Sequence, residues 1–172
     1  MKLLQKIFIS LGTNEGDRLQ NLQDAIGVLY STIGSIEAIS SVYETSSWGF
    51  ESNDFLNCCV ELTSCLSPDK LLQEFKKIEQ SFGRKEKIGN TYQDRVLDID
   101  ILFYENEILT TADLTIPHIA IPDRNFVLQP LADIAPNYSH PILDKTINEL
   151  LVSCTDDSKA TRIGEKLNNP FD

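Results

Sequence analysis

The sequence predicts an α+β fold in which four strands and two helices follow the order βαββαβ. Three observations lead there. Runs rich in β-branched, aromatic and other apolar residues stand at 6–11, 36–45, 55–63 and 95–103. Two segments with apolar residues at helical spacing fall between the first and second runs and between the third and fourth. The chain has 172 residues, 41% of them hydrophobic and 24% charged, enough for one core, and no repeat or long linker divides it.

The first strand, 6–11, ends at Gly12-Thr13-Asn14. Asn14 or Asp17 then caps a helix running to about Thr32, with Leu19, Leu22, Ala25, Ile26 and Leu29 on its apolar face. Gly34 closes that unit. The second strand, 36–45, leads into a polar, aromatic loop that holds Trp48. The third strand spans 55–63. Ser67 as cap and Pro68 at the first helical position open the second helix, marked by Leu71, Leu72, Phe75, Ile78, Glu79 and Phe82. Gly83 stops it, and a charged loop over 85–93 precedes the fourth strand. These elements predict a ferredoxin-like βαββαβ two-layer sandwich, with an antiparallel sheet and both helices on one face. A C-terminal extension follows. It comprises a hairpin over 104–109, an extended piece over 114–118, and short helices around Asn125 to Ala132 and at 148–152. Residues 1–155 are expected to form one domain, and 156–172 a polar, frayed tail.

Fifteen Lys and Arg face twenty-six Asp and Glu, a formal net charge of −11. That argues against nucleic acid or an anionic membrane as partner, since both are bound through basic residues. An anionic ligand must be met by a local cation cluster and metal. The four cysteines, at 58, 59, 65 and 154, show no C-x-x-C spacing and read as reduced residues of a cytoplasmic protein. Cys58 and Cys59 are adjacent on a strand, so they should point to opposite faces. No run approaches a membrane span, and residues 7–11 are too short for a secretory signal. A monomer is expected.

The stretch richest in chemistry is Asp98-Ile99-Asp100. Strand residues two apart share a face at a spacing of roughly 7 Å. Two carboxylates therefore project together, while Leu97, Ile99 and Ile101 go to the other side. At an effective dielectric of about 20 their repulsion is about 2 kcal/mol, a cost without purpose unless a cation lies between them. A solvated edge can show the same pattern. Here the far side is continuously apolar, and Arg84 and Arg95 lie close in sequence. Carboxylates for Mg²⁺ beside guanidinium groups for phosphate form a phosphoryl-transfer constellation.

Further runs accompany that one in a fixed order. They are Gly12-Thr13-Asn14, Phe55-Leu56-Asn57, Gly83-Arg84, Asp94-Arg95-Val96-Leu97-Asp98-Ile99-Asp100-Ile101-Leu102, Ile116-Pro117-His118, and Arg124-Asn125-Phe126-Val127-Leu128-Gln129-Pro130-Leu131. In these the chain resembles the 6-hydroxymethyl-7,8-dihydropterin pyrophosphokinases of folate biosynthesis, from about Ile7 to Leu151. The resemblance implies Mg²⁺-dependent transfer of pyrophosphate from ATP to the hydroxymethyl group of a reduced pterin, releasing AMP. It implies that Asp98 and Asp100 hold two Mg²⁺ ions against the ATP phosphates, and that Arg84 and Arg95 join them in catalysis. ATP would also meet Lys76, Glu79, Ile101, Thr115, His118 and Arg124. The pterin would meet Thr45, Ser46, Trp48, Phe55, Asn57 and Phe126.

The residue chemistry agrees with that placement. Two phenylalanines can sandwich a flat pterin, and an asparagine offers its edge both a donor and an acceptor. No nucleophilic side chain is required, because the substrate hydroxyl attacks. The chain also departs from the family. Where the family carries Arg-Trp-Gly-Pro-Arg before the aspartates, this chain has Asn90-Thr91-Tyr92-Gln93-Asp94-Arg95, with Tyr92 the candidate to replace the tryptophan. Palm-type nucleotidyl transferases also set acidic metal ligands on a βαββαβ sheet; they would release pyrophosphate instead of AMP.

Overall fold

The computed structural model describes residues 3–46, 53–83 and 96–172. β1 (Gln5–Thr13) buries Ile7, Phe8, Ile9 and Leu11, so both of its faces are covered, as a central strand requires. It runs two residues further than the sequence predicts, and this brings Gly12 inside the sheet. α1 (Arg18–Thr32) begins at Asp17, whose carboxylate accepts the Gln20 amide at 3.1 Å. Gly34 then passes so close to the sheet that a Cβ there would lie 1.9 Å from the Thr63 carbonyl oxygen.

β2 (Ser35–Ile39) and β3 (Tyr43–Thr45) replace the single strand expected over 36–45. Both pair antiparallel with β4 (Phe55–Ser64). The register slips between Ile36 and Ala38. Ser40 then fills the break: its amide donates to the Cys59 carbonyl at 2.9 Å, and its Oγ accepts the Cys59 amide at 2.8 Å. A side chain standing in for a ladder partner is invisible to strand propensity. α2 (Pro68–Ser81) follows, with Pro68 in its first turn as predicted. β5 (Asp98–Tyr104) pairs with β1 through a bulge at Leu102, so Phe8 faces Phe103 while Ile9 faces Ile101.

The later elements are β6 (Leu109–Thr110), β7 (Thr115–Ile116), α3 (Asn125–Ile134), α4 (Ile147–Ser153) and β8 (Ala160–Arg162). The hairpin is β6–β7, one turn later than the sequence predicts. α4 starts with a full capping box, Thr146 with Glu149.

The main sheet has the order β5-β1-β4-β3-β8, with β2 also on β4. On one face Ile7, Ile9, Leu11, Cys58, Val60, Ile99 and Ile101 pack with α1 and α2. On the other, Phe8, Cys59, Leu102 and Phe103 pack with α3 and α4. The C-terminal helices therefore add a third layer to the expected two, because the central strands are apolar on both sides. Cys58 and Cys59 point to opposite faces and are both fully buried. Burial alone pushes the Cys58 thiol up to about 12. The polar tail does not simply fray: β8 joins the sheet edge on β3. No helix among the described residues is long and apolar enough to cross a membrane.

Candidate active site

Three strands bring the central residues into line. Gly12 of β1 faces Asn57 of β4 on one side and Asp98 of β5 on the other. One step along, Ser10 faces Cys59 and Asp100 in the same way. Ile99 and Ile101 enter the α1–α2 core, so alternation sends Asp98 and Asp100 to the α3 side. Asn57 shares that side with Cys59. Asp98 is half-buried and Asp100 exposed. A side chain at position 12 would crowd the row: its Cβ would lie 3.1 Å from Asn57 Oδ1 and 3.9 Å from Phe55 Cδ1. Glycine leaves a shallow floor between the amide and the carboxylates.

The paired carboxylates offer oxygen ligands only. Among the described residues no group of three or more His, Cys, Asp or Glu side chains comes together. A pair without a full cage fits a hard cation whose remaining ligands are water and substrate phosphate.

Around β5 stand the residues expected at ATP. The amide of His118 donates to the Leu102 carbonyl at 3.0 Å, which fixes this segment along the strand. Its Nδ1 accepts the Ala120 amide at 3.2 Å, so the neutral ring carries its proton on Nε2 and can donate to a phosphate oxygen. Thr115 is exposed on β7, and Lys76 is exposed on α2. Glu79 is buried, and its Oε1 accepts the Ile99 amide at 2.9 Å. It braces the aspartate-bearing strand from the opposite face. Ile101 turns its side chain into the α1–α2 core, so a nucleotide contact there would fall to its backbone.

At the other end of the row stand the residues expected at the pterin. Asn57 Nδ2 donates to Thr45 Oγ1 at 3.0 Å, a buried bond that holds the amide in one orientation. Phe55 and Phe126 are half-buried, and Ser46 is exposed. The Arg124 guanidinium lies over the Phe126 ring, 5.6 Å from its centroid, so the expected phosphate contact and the expected ring wall are adjacent. Trp48, Arg84, Tyr92 and Arg95 lie outside the described residues.

Comparison with known proteins decides the family. A family model described as 7,8-dihydro-6-hydroxymethylpterin-pyrophosphokinase (HPPK) matches residues 8–136. The chain belongs to the HPPK family. It is 40% identical over 144 residues to a 2-amino-4-hydroxy-6-hydroxymethyldihydropteridine pyrophosphokinase of Aquifex aeolicus, covering 83% of this chain and 88% of that one. To the protein of the same name from Synechocystis it is 45% identical over 152 residues, covering 86% of this chain and 76% of that one. The folic acid synthesis protein FOL1 of Dictyostelium discoideum is 39% identical over 145 residues, which are 84% of this chain and only 22% of that protein. Among solved structures, the wild-type HPPK-DHPS of Plasmodium falciparum with pteroate superposes with a TM-score of 0.73 at 18% identity, over 87% of this chain and 42% of that one. That likeness speaks for the fold.

Within this HPPK chain the sequence reading passed over several residues that shape the site. Gly12 read as the residue that ends the first strand, whereas the structure sets it inside the sheet between Asn57 and Asp98. Tyr43, Asp133, Asp156 and Arg162 carried no local signal of this role, because the partners that tie them across the fold lie 29 or more residues away.

Proposed function

We propose that the chain transfers pyrophosphate from ATP to 6-hydroxymethyl-7,8-dihydropterin, giving AMP and the pterin diphosphate, a step of folate biosynthesis. The observation that carries the site assignment is the row Asn57–Gly12–Asp98. Two strand spacings, about 10 Å, separate its ends. That suits a bicyclic ring whose amide edge lies at Asn57 and whose hydroxymethyl arm reaches toward Asp98. Thr45 orients Asn57, and Phe55 and Phe126 offer flat apolar surfaces on which the ring can stack.

Two Mg²⁺ ions fit Asp98 and Asp100; bound there, they would neutralise the triphosphate and hold it in line. The chain's own residues supply the rest. His118 Nε2–H and the Arg124 guanidinium donate to phosphate oxygens, with Arg84 and Arg95 as further cations. The pterin hydroxyl oxygen attacks the β-phosphorus, the bond to the α-bridging oxygen breaks, and AMP leaves. Catalysis is positioning and charge stabilisation, which needs no nucleophilic side chain.

The strand order and the antiparallel pairings support a ferredoxin-like core extended at its C-terminus. Four free cysteines, Cys58 and Cys59 buried, Cys154 half-buried and Cys65 exposed, support work in a reducing cytoplasm. The deciding experiment incubates the protein with MgATP, with and without the pterin, and identifies the nucleotide product. AMP formed only in the presence of pterin is the expected result. ADP, or free pyrophosphate, overturns the proposal.

A further inference from the structure

Arg124 occupies the N-cap position of α3, and no side chain there accepts a helix amide. Arginine cannot, since its guanidinium only donates. The first amide of the helix, that of Asn125, is taken instead by a residue from the tail. Asp156 Oδ2 accepts it at 2.9 Å. The other oxygen of the same carboxylate accepts the Ser158 amide at 3.0 Å, and Asn125 Nδ2 donates to the Ser158 carbonyl at 3.0 Å. Both ends of the Asn125 side are thus tied to one short segment.

That segment then enters the sheet. β8 pairs with β3, placing Ala160 opposite Thr45 and Arg162 opposite Tyr43. Arg162 reaches back to α3, meeting Asp133 at 3.0 Å and the Tyr43 hydroxyl at 3.1 Å. Residues 156–162 therefore connect the helix that carries Phe126 to the strand that carries Thr45. They lie beyond the stretch matched by the family model.

We infer that Asp156 is a positioning residue for the pterin wall: through the Asn125 amide it fixes where α3 begins, and so where Arg124 and Phe126 stand relative to Thr45 and Asn57. This rests on the reading of Phe126, Thr45 and Asn57 as the pterin's surroundings. Desolvation works against the Asp156 charge, but the amides of Asn125 and Ser158 and the nearby Arg124 outweigh it and hold the carboxyl below its usual range. The acceptor is therefore fully charged at neutral pH.

The test is steady-state kinetics on the full chain, with Asp156→Ala, Asp156→Asn, Phe126→Ala and the Asp156→Ala/Phe126→Ala pair. Losing a helix-end acceptor should raise the pterin KM about tenfold in Asp156→Ala while kcat stays within about threefold. Asp156→Asn should recover most of the loss, because its one amide oxygen still accepts the Asn125 N–H while its Nδ2 cannot accept the Ser158 amide. The double variant should show a pterin KM no higher than Phe126→Ala alone, since Asp156 acts through that ring. A pterin KM unchanged in Asp156→Ala but raised in Phe126→Ala overturns the inference, as does additivity of the two. So does a lowered urea midpoint in Asp156→Ala with KM unmoved, which is the mark of a purely structural tie. A pterin KM unchanged in Phe126→Ala instead overturns the site reading beneath it.

Discussion

The two ends of the site are held in different ways. Asp98, Gly12 and Asn57 are placed by backbone: three strands in fixed register set their spacing, whatever their side chains are. Arg124 and Phe126 are placed by side chains: Val127, Leu128 and Leu131 seat α3 on the sheet, and Asp156 at its start and Asp133 farther along tie its two ends. A ladder spreads its constraint over many bonds, so removing one side chain leaves the geometry intact. A helix end tied by a single carboxylate concentrates it. Substitutions on the strand row should therefore change chemistry without changing stability, and substitutions among the supports should do the reverse or shift substrate affinity.

The largest expected effect lies on the row. Asp98→Ala or Asp100→Ala should lower turnover by about 10³-fold or more, since the Mg²⁺-ligand role proposed for them would contribute several kcal/mol of transition-state stabilisation. The melting temperature should stay within about 4 °C, because the β5 ladder does not depend on either carboxylate. Turnover near normal would break the comparison at its strongest point; a collapse in melting temperature would show that the carboxylates themselves support the fold.

Next comes the buried support behind the row. Glu79 is 5% exposed and accepts the Ile99 amide, so Glu79→Ala leaves that donor without its partner at a cost of about 2 kcal/mol. Glu79→Gln keeps an acceptor oxygen and should recover most of that. Urea midpoints decide it. Equal losses in both variants would mean that the carboxylate charge, and not the hydrogen bond, is what β5 needs.

This division also explains what was legible in the sequence. The aspartate pair was readable because strand alternation is local: two residues apart means one face. The helices were readable from their spacing and from Asp17 and Pro68 at their starts. The split of residues 36–45 was not, because it depends on Ser40 bonding to Cys59, a partner 19 residues away. Nor was the third layer, since an apolar residue such as Phe103 does not announce which helix will cover it. The tail looked polar and unstructured because each of its partners, Asn125, Tyr43 and Asp133, lies far back in the chain. Contacts of long sequence separation leave no periodic trace.

A smaller effect sharpens the comparison from inside the row. Gly12→Ala would set a Cβ 3.1 Å from Asn57 Oδ1, tighter than ordinary contact, so the amide must shift by a few tenths of an ångström. The pterin KM should rise about tenfold, roughly 1.4 kcal/mol, while the MgATP KM stays within about twofold. Alanine at an extended strand position is otherwise well tolerated, so the urea midpoint should hardly move. A rise in both KM values would mean that the floor at Gly12 serves the nucleotide as well as the ring.

The smallest expected effect tests the side-chain-held half by pH. His140 is buried, its Nδ1 accepts the amides of Ile142 and Leu143 at 3.2 Å each, and its ring meets Phe103 of β5 edge-on at 5.5 Å. Burial lowers its pKa below the usual 6.5. The unfolded chain therefore binds a proton that the folded chain refuses. Stability from this group is complete above pH 6.5 and drains away as the pH falls toward the lowered folded value. Between pH 7.5 and 5.5 the parent should lose up to about 1 kcal/mol more than His140→Gln, which carries no titrating group. The strand row has no share in this, so the pterin KM of the parent and of His140→Gln should change in parallel over the same range. A parent whose stability is flat across that interval would show that Nδ1 gives up its two amides without cost, and that the α3–α4 face is looser than the tied contacts indicate.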